Sequence, residues 1–135
     1  QVLCIYDNFA CVLNPSTGAE LCRFSYGGAA VASVSVYGRT AALLLSTRSG
    51  SRLVVLNDSM NALLDTTVAA ANRVTVTHNS VYLLRDGTVE RMNLKGESQW
   101  VQSFDTKPQF LLNAEQLLLF VDSSAQVLAA PAAEK

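Results

Sequence analysis

The feature that most restricts the fold of this chain is a pattern that it contains twice. Val81 to Trp100 (VYLLRDGTVERMNLKGESQW) reads as a strand, a tight turn at Asp86-Gly87, a second strand from Thr88 to Asn93, a turn at Gly96 and the start of a third strand. Asp-Gly is a preferred pair for a type I′ hairpin, which needs positive φ at both central residues. Val2 to Cys22 (VLCIYDNFACVLNPSTGAELC) repeats the pattern. Val2 falls on Val81, Asp7 on Asp86, Asn8 on Gly87 and Asn14 on Asn93. The second turn is one residue longer, so Gly18 falls on Gly96 and Cys22 on Trp100.

Two copies 79 residues apart imply a unit of about 40 residues with one copy between them, the period of a four-stranded β-propeller blade. The middle copy is more worn. Asn57-Asp58-Ser59-Met60-Asn61 stands where Asn14-Pro15-Ser16-Thr17-Gly18 stood, with Asn61 in the place of Gly18 and Asp65 in that of Trp100. Asn is the next best residue after Gly for a left-handed turn position. Ala30 to Tyr37 alternates valines with Ser and Ala, small residues that suit a strand close to an axis where blades crowd. Ala41 to Ser46 is nearly continuous apolar, as a strand covered on both faces should be. Pro108 suits the first residue of a strand. Ala62 to Ala71 has the length of a helix, but Thr66-Thr67-Val68 and the repeat alignment favour a strand.

The expected fold is therefore all-β and propeller-type, with about three and a half four-stranded blades. Its units lie near 2–29, 30–70, 71–107 and 108–129, followed by a tail at 130–135. The fourteen strands group as three, four, four and three, so the chain opens on the second strand of one blade and stops at the third of another. Four complete blades would need about sixteen strands. An end blade left bare exposes an apolar face and a strand edge, both aggregation hazards. The expected partner is therefore another protein or additional propeller blades, as part of a longer or multi-chain propeller.

Composition removes several classes of function. Charged residues make up 16% of the chain and net charge is −1. There is no basic stripe of the kind a nucleic-acid binder uses, so no nucleic-acid partner is expected. No apolar run reaches the roughly 18 residues of a membrane-spanning helix. The chain opens on Gln1 in mid-pattern, which suits an upstream targeting or anchoring segment.

Candidate chemistry is sparse. Pairing Tyr6 with Phe9 across the Asp7-Asn8 turn sets Cys4 opposite Cys11, and pairing Leu13 with Glu20 would set Cys11 opposite Cys22. Three cysteines in one row on a sheet suit small-hydrophobe packing better than the tetrahedral geometry of a thiolate metal site. A Cys4–Cys11 disulfide would fall at a hydrogen-bonded pair, where the Cα atoms are wider apart. His78, the single histidine, falls in a turn with no nucleophile elbow to serve. Asn57-Asp58-Ser59 is formally a glycosylation sequon, and with Asn61 a weak cation loop, but turn chemistry accounts for it. Glu90 is placed between Leu83 and Trp100, near Arg85 and Arg91, and reads as a paired strand residue rather than an acid–base group. No catalytic, cofactor-binding or metal-binding residue is assigned.

Val12-Leu13-Asn14 through Thr17-Gly18, and Met92-Asn93 through Gly96 and Trp100, resemble the PQQ-like (quinoprotein-type) propeller repeat. That blade reads, loosely, as an apolar strand, an Asp-Gly turn, then A-L-D-x-x-T-G-x-x-x-W. Its signature Trp survives here only at Trp100, and nothing maps to the calcium site of the family's dehydrogenases. The resemblance thus implies the fold without the cofactor, and points to the non-enzymatic branch. The members of that branch act as extracytoplasmic scaffolds, for example in outer-membrane protein assembly. The expected function is a non-catalytic protein–protein interaction scaffold; the alternative is a fragment of a quinone- or metal-dependent propeller enzyme.

Overall fold

The computed structural model describes residues 1–104 and, beyond them, the strands Pro108–Asn113, Leu117–Val121 and Ser124–Leu128 as backbone. The structure is all-β. The first sheet runs β1 (Val2–Ile5), β2 (Phe9–Leu13), β3 (Glu20–Ser25). The second runs β4 (Ala30–Tyr37), β5 (Thr40–Thr47), β6 (Gly50–Leu56), β7 (Ala62–Val68). The third runs β8 (Arg73–Val76), β9 (Ser80–Arg85), β10 (Thr88–Asn93), β11 (Ser98–Ser103). The fourth runs β12 (Pro108–Asn113), β13 (Leu117–Val121), β14 (Ser124–Leu128). Each sheet is an antiparallel meander in chain order, the form of a propeller blade. The four described sheets form an arc and do not close into a ring. The expected turn at Asn113-Ala114-Glu115-Gln116, most of the Asp122-Ser123-Ser124 hairpin and the 130–135 tail lie outside the described residues.

Strands β4, β8 and β12 lie next to one another along the inner side, each the first strand of its sheet. Among the described residues the first sheet begins with β1, which pairs with β2. Two apolar seams hold the arc together. Ala10, Val12 and Tyr26 of the first sheet and the segment after it pack on Leu43, Leu45, Val54 and Leu56 of the second. The opposite face of the second sheet (Ala42, Leu44, Leu53 and Val55) packs on Val74, Val76, Val81, Leu83 and Met92 of the third. Ala41–Leu45 is buried throughout, as its continuous apolar run requires. The far face of the third sheet carries Tyr82, Leu84 and Val89, with Trp100 edge-on to Tyr82 at 5.9 Å.

The same device closes the outer hairpin of each of the first three sheets. Asn14 Oδ1 accepts the amides of Ser16 and Thr17. Asn57 Oδ1 accepts those of Ser59 and Asn61, and Asn93 Oδ1 those of Lys95 and Glu97. An Asx turn of this kind replaces backbone pairing that the tight loop cannot supply. A β-bulge follows in each case: Leu13 faces Glu20 but Val12 faces Cys22, leaving Leu21 extra. Leu63 and Gln99 are left over in the same way.

These bulges correct three sequence expectations, and the middle turn corrects a fourth. Cys11 faces Arg23 rather than Cys22, because Leu21 shifts the register. The Trp100 position is filled in the middle copy by Leu64, opposite Val55, rather than Asp65. Glu90 lies opposite Leu83 but faces Val101 on the other side, and Trp100 faces Arg91. The left-handed residue of the middle turn is Met60, with φ 61°, and not Asn61. Met60 is buried in the seam between the first two sheets, and that packing offsets the roughly 1–2 kcal/mol cost of a left-handed L-residue. The Asp86-Gly87 turn is also not type I′, since Gly87 alone has positive φ.

Replacing Asn57 by Ala removes two amide acceptors and should lower stability by about 1–2 kcal/mol, while Asn57→Asp should retain most of it. Urea unfolding of the two variants checks this.

Candidate interaction surface

The structure places the residues singled out by sequence mostly apart. Cys4 does lie opposite Cys11, and all three cysteines are free thiols. Burial foremost, then the Glu20 carboxylate, pushes the Cys11 thiol up from its ordinary value, which disfavours the reactive thiolate. The Cys22 thiol approaches the Asp58 carbonyl at 3.7 Å. Among the described residues, no group of three or more His, Cys, Asp and Glu is arranged to hold a metal ion. His78 is exposed in the turn between β8 and β9. Glu90 is paired with Arg85 at 2.7 Å, and Arg85 also donates to the carbonyls of Ala69 and Ala70. Asn57 is committed to its turn, and Asp58 pairs with Arg39 at 3.2 Å.

Arg52 grips Asp65 with two hydrogen bonds of 2.8 and 2.7 Å. The hydrogen bond from Arg52 holds the Asp65 carboxyl below its ordinary value. A depressed carboxylate stabilises the fold above its unfolded pKa, and that contribution is lost as pH falls through the folded value. Both side chains are about one-third exposed, so solvent screening keeps the pair to about 1 kcal/mol or less.

What the structure gathers instead is apolar surface. The bulge residues Leu21 and Leu63 occupy equivalent positions on the outer strands β3 and β7, and are 52% and 46% exposed. Leu21, Leu63 and Val101, exposed on β11, give each of the first three outer strands an outward apolar residue. On the first sheet Tyr6 stacks on Phe9 at 4.6 Å, and Arg23 lies over the Phe9 ring at 3.8 Å. Between the first and second sheets a cavity of about 440 Å³ opens beside the Gly38-Arg39 turn; Leu3, Val12, Val36, Arg39, Asp58 and Met60 are among its lining residues. Sequence reasoning did not find the cavity or the leucine row. The exposure of Leu21 and Leu63 depends on bulge register, for which the recurring Asn of the outer turn is the only signal in the sequence.

No family model and no curated protein sequence matches the chain. Its fold is that of solved β-propellers. It is similar to the computationally designed Ika8 protein, at 15% identity and a TM-score of 0.68, over 93% of this chain and 44% of that one. It is similar to BamB from Moraxella catarrhalis, at 14% identity and a TM-score of 0.63, over 87% of this chain and 39% of that one. BBS1N, whose structure was solved in complex with ARL6DN, gives 13% identity and a TM-score of 0.67, over 90% of this chain and 44% of that one. The chain thus spans less than half the length of each of these three. Identities this low carry the fold alone.

Replacing Asp65 by Asn should lower stability at pH 7 by about 0.5–1 kcal/mol, and the difference from the parent should vanish near pH 2. Urea unfolding at the two pH values checks the sign and the window.

Proposed function

We propose that this chain is a non-catalytic protein–protein interaction scaffold built on PQQ-like propeller blades. The observation that carries the proposal is the placement of Leu21 and Leu63, two large apolar side chains turned outward by equivalent bulges on adjacent outer strands. An extra residue at a bulge packs in no seam, so apolar chemistry there is not needed by the fold. BBS1N, a propeller of similar fold, was solved with a protein partner, which supports the same use of this architecture. The PQQ-like assignment is supported by the Asn-turn, Gly and Trp100 pattern of the third sheet, and the similarity to BamB is consistent with it.

The test is capture from source extract by the immobilised chain, with the Leu21→Lys/Leu63→Lys double variant beside it. A discrete protein retained by the parent and lost from the variant is expected. Capture of nothing by either contradicts the proposal. The variant should unfold at the same urea concentration as the parent, since neither leucine is buried. An absorbance change on adding pyrroloquinoline quinone with calcium would favour an enzyme fragment instead.

A further inference from the structure

One row of side chains in the third sheet breaks a rule that the first two sheets keep. The strand registers align Leu3, Val12 and Cys22 of the first sheet with Ala42, Val55 and Leu64 of the second. The same registers align both rows with Tyr82, Arg91 and Trp100 of the third. In the first two sheets the row packs into an apolar seam. In the third it carries a phenol, a guanidinium and an indole, on the face turned away from the second sheet. The fold does not ask for hydrogen-bond donors at these positions, since it fills them twice without any strong donor.

These donors are buried and under-used. Arg91 is 6% exposed, and its Nε donates to Ser80 Oγ at 3.0 Å. The ion pairs among the described residues engage Arg23, Arg39, Arg52 and Arg85, and none engages Arg91. A buried guanidinium is costly unless it is paired and its remaining N–H groups are bonded. Among the described residues, Trp100 Nε1 is likewise buried with no acceptor. Tyr82 is 4% exposed, with Trp100 edge-on to it at 5.9 Å. Burial pushes the Tyr82 phenol up, and the Arg91 charge opposes that shift, so the two groups are close enough to interact.

We propose that the Tyr82–Arg91–Trp100 row is a binding site for a small organic carboxylate with an apolar body. Arg91 supplies the counter-charge and a planar fork of donors that matches a carboxylate. Trp100 Nε1 donates to the same ligand and so gains the acceptor it lacks. Leu84, Val89 and Phe104, clustered with Tyr82 and Trp100, meet the apolar body. A phosphate would bring close to two negative charges to one guanidinium among apolar neighbours, which favours the carboxylate. Trp100 as a whole is half-buried, so the row meets solvent at its β11 end. The site is separate from Leu21 and Leu63 and does not depend on the scaffold reading.

The experiment is titration of the 135-residue chain with hexanoate, read by NMR at the indole N–H of Trp100, the single tryptophan. A saturable downfield shift of that signal is expected with hexanoate and not with hexanamide, its neutral isostere. Arg91→Met should weaken hexanoate binding by about tenfold or more, the loss of a charge-assisted hydrogen bond. The same variant should unfold at the urea concentration of the parent or a higher one, because it restores the apolar character of the other two rows. A lower unfolding midpoint for Arg91→Met, or hexanoate binding that the variant retains, marks Arg91 as structural and overturns the proposal. An indole signal unmoved by hexanoate overturns it too, as does equal binding of hexanamide or a response to phosphate alone. The competing occupant is a carboxylate of the chain itself, from Asp105, Glu115 or Asp122. Hexanoate binding about tenfold tighter in the Asp105→Asn/Glu115→Gln/Asp122→Asn variant would show that the chain fills its own site and would overturn the proposal; unchanged affinity supports it.

Discussion

The central strands of the second sheet, β5 and β6, are covered on both faces over Ala41–Leu45 and Leu53–Leu56, and the rest of the arc depends on that. Leu43 and Leu45 point into one seam and Leu44 into the other, all with no exposed surface. Burying one such side chain is worth about 1.5–3 kcal/mol. A sheet that is apolar on both sides is stable only between two others. The sequence of β5 therefore demands neighbours before any loop or turn is considered. The same demand passes outward, since the third sheet turns Tyr82, Leu84, Val89 and Trp100 toward its far side.

Stacking sheets about an axis raises a second problem, because every sheet has two edges and each edge carries unpaired amides and carbonyls. At the inner edge, β4 answers with serine hydroxyls placed two residues apart, which bond the β8 backbone without pairing strand to strand. At the outer edge, the Asn-centred turns and the bulges after them increase twist and re-aim one residue per sheet. The outer solution leaves two large apolar residues exposed, Leu21 and Leu63, where the first two bulges leave a residue over.

Much of the fold was legible in the chain. The Asn14, Asn57 and Asn93 turns, the alternation of Ala30–Tyr37 and the apolar run of Ala41–Leu45 place the strands to within a few residues of those observed. The Cys4–Cys11 pairing was legible too, because a two-residue turn fixes register on its own side. Register beyond the next turn was not. A bulge adds one residue with no distinctive composition, as Leu21, Leu63 and Gln99 show, and it moves every later pair by one. Met60 was misplaced for a related reason: tertiary burial put a methionine where local preference asks for Gly or Asn. The exposed Leu21 and Leu63 depend on those registers, which local composition does not specify.

Leu43 and Leu44 are adjacent in sequence and face opposite seams, so comparing their replacement by Ala tests the stacking most directly. If the second sheet is held from both sides, each variant should lose about 2–5 kcal/mol in urea unfolding, within a single cooperative transition. A near-neutral Leu43→Ala beside a costly Leu44→Ala would contradict this, because the first sheet would then not be packed on the second.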